Sequence, residues 1–354
     1  MPLRILRALA LFLACAMASI QVAAAAPPAS GLLVDFTQTS FFQGPYLTAA
    51  QDDGAPVASG GGYAAPQFCE VERDWTVWAG AIFLTRSRPD SMTLITDAGA
   101  ELFNARQFTF GTSAGPDINV IRHGDAFDLG FRFFQVNNMN AQRTIIPSLG
   151  AILNVNDPVL LGDDILSQLY GTSVLSAEIN LRRNVTDNIT VLAGFRYFQL
   201  DDNLRTRFDL PLDIFPPLDF DVDGFNRLYG GQMGADCTLV NIGPFRITTE
   251  GKAGIYGNVA RNEARLSTPG SGVASWGTHG GDVSFVGDLN FNGIYQVTEH
   301  WAVRGGYQLL WLSGIALSSD QFPFVSHHFT PDADVVTNGD LFLHGALVSI
   351  EGSW

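Results

Sequence analysis

Hydrophobic and polar side chains alternate along most of the chain from Trp75 onward. In residues 301–312, one face carries aromatic and aliphatic side chains from Trp301 to Trp311, and the other face carries Arg304 and Gln308. A period of two residues is typical of a β-strand. Trp301 and Trp311 lie ten residues apart on the apolar face, and this spacing corresponds to about 23 Å of height in a strand tilted near 45°. The apolar band of an outer-membrane barrel has nearly this height, with aromatic residues at both edges.

The same alternation recurs in ten segments, several of which are longer than the strands of soluble sheets. The predicted strands are residues 75–85, 124–136, 143–152, 171–183, 188–200, 225–240, 244–259, 281–296, 301–313 and 340–354. Pro147 interrupts the third of these, which we keep because an even number of strands places both barrel ends in the periplasm. Short connections at 183–188, 240–243 and 297–300 alternate with long ones at 201–224, 260–280 and 315–339. The pattern predicts an all-β, antiparallel transmembrane outer-membrane β-barrel of about ten strands, with eight or twelve as alternatives, long extracellular loops and short periplasmic turns.

The first 26 residues have the composition of a secretory signal peptide. Arg4 and Arg7 precede an apolar run at 8–18, and small residues at 23–26 supply a cleavage site. Residues 27–74 are rich in Gly, Pro, Ala and Ser, which predicts a flexible N-terminal periplasmic segment. We therefore expect residues 75–354 to form the barrel, in the cell outer membrane of a Gram-negative cell, after secretion and signal-peptide cleavage. Cys69 and Cys237 remain after cleavage, and their spacing does not show whether they pair.

Composition excludes several classes of protein. The formal net charge of -15 argues against nucleic acid as a partner, because nucleic-acid binding needs a basic surface. A hydrophobic content of 46% with 11% aromatic residues argues against disorder. Beyond the N-terminus no uninterrupted apolar run is long enough for a transmembrane helix, so a helical membrane bundle is also disfavoured.

The polar faces of the predicted strands would line the barrel lumen. They carry six acids and six bases, so the lumen is expected to be neutral: Asp128, Glu178, Asp236, Glu250, Asp288, Glu351, Arg132, Arg182, Arg196, Arg246, Lys252 and Arg304. A selective pore would more readily carry one sign of charge. In a barrel of about ten strands, opposite charges would instead pair across a narrow interior. A salt-bridged, filled interior and a narrow gated pore both remain open.

Two smaller groups of residues stand out. The apolar faces place an aromatic girdle at Trp301, Tyr307, Trp311 and Trp354. Because Trp354 ends an alternating strand, we expect the barrel-assembly machinery to recognise it. Asp219, Asp221 and Asp223 match the first half of an EF-hand loop, but the twelfth position is Gly230 instead of Glu. We therefore expect at most a weak calcium site, with divalent cations as candidate partners of the acidic loops.

Several short segments resemble the beta-barrel porin 7 family, outer-membrane barrels of planctomycetes. The resemblance covers most of residues 75–354 and is carried by stretches that match together: 83–89, 176–183, 192–197, 228–232, 252–258, 306–312 and 339–346. It implies an outer-membrane barrel and brings no substrate or catalytic residue.

The leading functional hypothesis is a porin for passive passage of small solutes, embedded in outer-membrane lipid. The alternatives are a structural or surface-interaction barrel with a closed lumen, and an outer-membrane hydrolase with its site at the barrel rim. No spacing of Ser, His and Asp singles out a catalytic set. We therefore expect a protein that is not an enzyme, with no cofactor and no nucleic-acid partner.

Overall fold

The computed structural model describes residues 74–97, 100–146, 151–153, 160–161, 165–209, 217–268, 272–321 and 334–354. The signal peptide at 1–26, the N-terminal segment 27–74 except Asp74, and Cys69 lie outside these residues, so what the sequence predicts of them stays a prediction.

Fourteen strands lie within the described residues. Their bounds are β1 Trp75–Arg86, β2 Thr93–Asp97, β3 Ala100–Asn104, β4 Ser113–Arg122, β5 Asp128–Ile145, β6 Ala151–Leu153, β7 Leu160–Leu161, β8 Ile165–Thr186, β9 Ile189–Asp209, β10 Leu218–Ile242, β11 Phe245–Thr268, β12 Gly272–Gln296, β13 Trp301–Ile315 and β14 Gly339–Ser353.

Ten of these strands close into one antiparallel barrel in the order β1-β14-β13-β12-β11-β10-β9-β8-β5-β4, with β4 pairing β1. Two backbone hydrogen bonds join the start of β1 to the residue that follows β14. The Trp75 N–H donates to the Trp354 carbonyl at 2.9 Å, and the Trp354 N–H donates to the Trp75 carbonyl at 3.1 Å. Every barrel strand thus has a neighbour on both edges, an arrangement that satisfies backbone hydrogen bonds within a membrane. The predicted fold class, an all-β antiparallel barrel of ten strands, is confirmed.

The remaining strands form a small sheet in the order β3-β2-β6-β7, built from the connections that follow β1 and β5. A 3-10 turn, Ala105–Gln107, follows β3, and the short helix α1, Ser318–Gln321, lies in the connection between β13 and β14. No helix in the described part of the chain is long and apolar enough to cross a membrane.

Short turns join the strands at the end of the barrel that holds Trp75 and Trp354. β8 and β9 are joined by residues 187–188, β10 and β11 by residues 243–244, and β12 and β13 by residues 297–300. Gly243 has a φ of 57° and opens the tight turn before Pro244, a conformation that favours glycine. These are the three short turns that the sequence predicts, and they define the periplasmic end.

The third predicted strand, residues 143–152, is wrong. Residues 143–145 complete β5, which ends two residues before Pro147, and β6 belongs to the small sheet. The strand missing from the prediction is β4. Gly115 and Pro116 lie near its start and interrupt the alternating pattern in the sequence. In the structure, Asp117 and Asn119 point inward and Ile118 points outward. The count of ten survives because one missed strand replaces one false strand.

Two of the predicted extracellular loops are mostly strand. β9 runs to Asp209 and β10 begins at Leu218, while β11 runs to Thr268 and β12 begins at Gly272. The charges in these stretches suggested solvated loops, yet they alternate with buried apolar side chains such as Phe220 and Val222. The hairpins therefore extend beyond the shorter strands β13, β14, β1 and β4 as a raised wall on one side of the barrel.

The girdle residues lie on the outer face. Trp301 and Trp354 stand at the periplasmic end, Trp311 lies near the other edge beside Phe342, and Tyr307 lies between them. The Tyr307 hydroxyl is 2.6 Å from Nδ1 of His344, which gives both polar groups a partner on a surface that is otherwise apolar.

Candidate functional site: the barrel interior

A chain of polar side chains crosses the interior from β4 to β12. Arg132 Nε donates to Asp117 Oδ1 at 2.9 Å, and its Nη2 donates to Gln308 Oε1 at 2.9 Å. Gln308 Nε2 donates in turn to Asp288 Oδ1 at 3.0 Å. β5 and β13 stand on opposite sides of the ring, so the Arg132–Gln308 hydrogen bond spans the lumen.

From Asp288 the chain continues to the other wall. Arg196 Nη1 lies 3.1 Å from Asp288 Oδ2 and 3.9 Å from Glu178 Oε2. Lys252 Nζ binds Glu178 Oε1 at 2.6 Å, and all four of these side chains are almost fully buried. Buried charges are costly unless they are paired and hydrogen-bonded. Gln232 supplies a further donor to Glu178 at 2.6 Å.

The chain ends in a carboxylate pair that shares one arginine. Asp236 and Glu250 face each other across the β10–β11 register. Arg182 Nη2 lies 2.8 Å from Asp236, Arg182 Nη1 lies 3.0 Å from Glu250, and Lys252 Nζ lies 2.9 Å from Glu250. Two adjacent carboxylates repel, and the shared guanidinium offsets this repulsion. We call the connected set from Asp117 to Asp236 the lumen network.

A second group of charges completes the ring. Glu351 accepts from Arg304 Nη2 at 2.5 Å and lies 3.4 Å from Arg246 Nη2. The Arg304 guanidinium stacks over Trp78, 4.1 Å from the ring centroid. With these residues, all ten barrel strands contribute a side chain to the polar interior. A cavity of about 30 Å³ lies between the two groups, room for at least one water molecule.

The sequence-predicted lumen residues are thus all on the inner face, and eleven of the twelve lie in these two groups. Asp128 does not join them. Its Oδ2 lies 3.2 Å from His123 Nδ1, and His123 Nε2 lies 2.9 Å from Thr76 Oγ1. This pair ties β4 and β5 to β1 at the periplasmic rim. Asp117 takes the place of Asp128 in the lumen network, and sequence reasoning missed it because β4 was missed.

An apolar layer fills the interior above the lumen network. It is built from buried inward side chains of nearly every barrel strand: Ile82, Leu84, Phe134, Val136, Met139, Val174, Phe198, Leu200, Leu228, Tyr256, Val286, Leu310, Leu312, Leu341, Leu343 and Leu347. Ile315, the last residue of β13, and Leu317, in the connection that follows, join this layer. Each buried aliphatic or aromatic side chain contributes roughly 1.5–3 kcal/mol to folding, so this layer stabilises the barrel as a hydrophobic core.

The residues Ile315–Gln321, which we call the plug segment, fold into the extracellular mouth of the barrel. Ala316, Ser318 and Ser319 are completely buried. The Ser318 N–H donates to Asp202 Oδ2 at 2.9 Å, and the Ala316 N–H donates to Asn226 Oδ1 at 2.7 Å. A loop that satisfies its backbone groups on the inner wall is fixed there, because an unpaired buried backbone group is costly.

Asp202 is the shared partner of several buried polar side chains in the extracellular mouth. Its Oδ1 lies 2.6 Å from Arg86 Nη1 and accepts from Thr172 Oγ1 at 2.6 Å, while Tyr170 donates to Oδ2 at 2.6 Å. The Arg86 guanidinium lies between the rings of Phe110 and Tyr170, with centroids 4.4 and 4.7 Å away. The ion pair is completely buried on both sides.

Sequence reasoning missed both Arg86 and Asp202. The predicted strand 75–85 stops one residue before Arg86, and Asp202 was assigned to a loop. The signal was present, because Leu200, Asp202 and Leu204 continue the inward positions of β9.

The connection between β1 and β4 covers the mouth. Leu94, Ile95, Phe103, Phe108 and Phe110 pack on inward residues of the raised wall, in a cluster that also contains Tyr170, Leu204, Phe208, Phe220, Val222 and Ala264. Phe108 meets Tyr170 edge to face, with centroids 5.3 Å apart. The extracellular end is thus closed by the plug segment and by this cover.

Asp219, Asp221 and Asp223, the weak calcium candidates, lie on β10 and not in a loop. Their side chains share the outer face of the wall, where Asp221 lies 3.9 Å from Arg205 and Asp219 lies 3.9 Å from Arg207. Within the described residues, no group of three or more acidic, histidine or cysteine side chains is placed to hold a metal ion.

Asp320 makes the plug segment sensitive to pH. Burial, together with the nearby Asp202 and Asp90, raises the pKa of Asp320 to about 6 against the opposing effects of Ser319 and Arg86. A raised pKa in the folded state gives stability that is fully present below about pH 4 and is lost as pH rises through 6. We expect Asp320→Asn to stabilise the protein at pH 8 by up to about 3 kcal/mol and to leave it unchanged at pH 4. Denaturant unfolding in detergent micelles at both pH values measures this; an equal effect at both would contradict it.

The chain matches one protein family and is similar to several solved structures. Residues 161–345 match the family described as "Putative beta barrel porin-7 (BBP7)". Among solved structures, the chain is similar to the outer membrane protease OmpT from Escherichia coli, with 8% identity, 79% of this chain and 96% of that chain covered, and a TM-score of 0.42. It is also similar to the Ralstonia pickettii toluene transporter TbuX, with 12% identity, 80% and 90% covered, and a TM-score of 0.34. TM-scores this low carry no argument. No curated protein matches the sequence.

The family match spans more than half of the chain and includes β8 to β13, which carry most of the lumen network. It agrees with the alternating strands, the closed ten-strand ring and the aromatic outer face. The protein is an outer-membrane β-barrel, and it belongs to the beta barrel porin-7 family.

Proposed function

We propose that the protein is a closed-lumen outer-membrane barrel whose function lies at its extracellular surface. The observation that carries this proposal is the filled cross-section. The lumen network, the apolar layer and the plug segment follow one another along the interior, and each spans it. A ten-strand barrel lies near the size at which side chains fill the inside. Water and ions would have to cross an apolar layer that is packed as a core.

Balanced charge supports the same proposal. The two interior groups together contain six carboxylates and six cations, so neither sign of solute is favoured. Selective pores line their constriction with one sign of charge or with a ring of carbonyl groups. Here each charged group is held by a partner within the barrel, an arrangement that favours rigidity over passage.

Measurement of ion conductance through single inserted barrels tests the closed-lumen proposal. Folded protein, identified by heat-modifiable migration on a gel, is inserted into planar lipid bilayers and held at both polarities. We expect no discrete channel steps at neutral pH. Reproducible single-channel steps from the folded protein would contradict the closed-lumen proposal.

A second candidate function is a gated porin for passive passage of small solutes. The family description and the plug segment favour it, because every residue of the plug segment after Ile315 belongs to a connection and not to the wall. Replacing Ala316–Asp320 by a Gly-Ser stretch of the same length tests it. A gated porin would then show channel steps, whereas the matched control Asp209→Ala, an exposed site that leaves the plug segment intact, would not. If neither variant shows channel steps, the result would count against the gated-porin function.

A further inference from the structure

The outer face of β9, β10 and β11 changes character at one row. Tyr197 and Tyr229 are direct cross-strand partners, and their rings lie 5.0 Å apart. Toward the periplasm from this row, the outward positions are apolar, as at Phe195 and Ile255. Toward the extracellular end from this row, the outward positions are predominantly charged. The first of them are Arg227 and Asp201, whose Nη1 and Oδ1 atoms lie 2.6 Å apart. Tyrosines at such a change mark the membrane–water interface, so the charged rows stand outside the lipid.

A polar groove lies high on these charged rows. It has a volume of about 370 Å³ and is lined by side chains from five adjacent strands, among them Gln142, Leu169, Arg205, Arg207, Asp219 and Asp221. Arg205 is eight residues beyond Tyr197 on β9, which places the groove about 19 Å above the tyrosine row for a strand tilted near 45°. This is the zone of headgroups and saccharides above the outer leaflet.

The charges of the two arginines and two aspartates that line the groove cancel, and their mutual ion pairs are long. Arg205 and Arg207 lie 3.9 Å from Asp221 and Asp219, longer than a hydrogen bond, while Arg207 Nε donates to Asp209 Oδ1 at 2.9 Å beside the groove. The two arginine side chains are 61% and 52% exposed. Two guanidinium groups and two carboxylates therefore offer many donors and acceptors to a ligand, while their net charge of zero gives no preference for an ion.

We propose that this groove binds a neutral saccharide. Its volume suits a small ligand of about this class. Vicinal hydroxyl groups both donate and accept, so they can bond the planar carboxylates and guanidinium groups at once. Leu169 supplies an apolar patch for the C–H face of a sugar ring. The inference deepens the closed-lumen proposal, but sugar binding and conductance are measured separately, so either can fail alone.

The test uses the whole folded protein in detergent micelles. Maltotetraose is the soluble neutral probe, glucose 6-phosphate is the anionic probe, and binding is followed by ligand-observed saturation-transfer NMR and titration. Vesicles containing lipopolysaccharide, compared with vesicles containing lipid A alone, report whether the sugar comes from a membrane glycolipid. Arg205→Ala is the test variant. Arg261→Ala is the matched control, because Arg261 is equally exposed, ion-paired with Glu263 on the same face and outside the groove.

We expect binding of maltotetraose or of the lipopolysaccharide vesicles to weaken about tenfold or more in Arg205→Ala, since hydrogen bonds from charged groups are lost, and to stay unchanged in Arg261→Ala. Binding to the first probe assigns a soluble sugar, and binding to the second assigns a glycolipid. Preference for glucose 6-phosphate, equal loss in both variants, or no saccharide binding by the wild type would each overturn the proposal.

Discussion

Asp202→Ala is expected to destabilise the folded barrel by about 3–5 kcal/mol, the cost of leaving one partner of a buried ion pair alone. The substitution leaves the Arg86 guanidinium, completely buried in the mouth, without its carboxylate. It also removes the acceptor of the Tyr170 hydroxyl and of the Ser318 N–H, which fixes the plug segment. Asp202 joins the wall, the plug segment and the end of β1, so its loss affects all three.

Denaturant unfolding in detergent micelles, followed by tryptophan fluorescence and by gel migration, measures this loss. The matched control is Asp209→Ala on the same strand, whose partner Arg207 lies 2.9 Å away on the exposed outer face. An exposed pair contributes at most about 1 kcal/mol. A loss for Asp202→Ala no larger than that of the control would contradict a structural role for the mouth. Asp202→Asn keeps the shape and should fall between the two.

The second large effect is expected at Glu178 and Lys252 in the lumen network. Their side chains are 3% and 2% exposed, and the Oε1–Nζ distance is 2.6 Å. Glu178→Gln should cost about 3 kcal/mol or more, because the charges of Lys252 and Arg196 lose a buried partner. Lys252→Met should cost a similar amount through Glu178 and Glu250.

The double variant distinguishes a coupled network from two independent losses. If the two side chains stabilise the barrel through their mutual contact, the double variant should lose at least about 1 kcal/mol less than the sum of the single losses. The same cycle at Arg207 and Asp209, which are exposed, should show a coupling below about 1 kcal/mol. Strict additivity at Glu178 and Lys252 would refute the coupling.

The barrel wall could be predicted from the sequence because lipid outside and a packed interior impose a period of two on every strand. That period places Arg132, Glu178, Lys252 and Asp288 on one face without any knowledge of their partners. The partners themselves could not be predicted. Arg132 meets Gln308 across the ring, and alternation says nothing about which strands stand opposite each other.

The limits of the pattern are clearest at the top of the wall. Beyond Tyr197 and Tyr229 the outer face meets water, so charged residues replace apolar ones and the stretch reads as a loop. The inner face continues to be buried, as Leu204 shows, but only because residues from the β1–β4 connection cover it. The β1–β4 connection covers the wall through tertiary contacts. Neither this connection nor the plug segment has a repeating sequence pattern from which its position could be predicted.

The pairing of β1 with β14 has a consequence for how the protein reaches this structure. Most neighbours in the ring are hairpins, but Thr76 pairs with Ser353, 277 positions away along the chain. Such a contact closes a very long chain loop and is therefore slow to form. Until it forms, the strands are an open sheet in which Arg132 and Gln308 have not met and the inward charges are still hydrated. We therefore expect ring closure and charge pairing to occur together, as one late and slow step of folding.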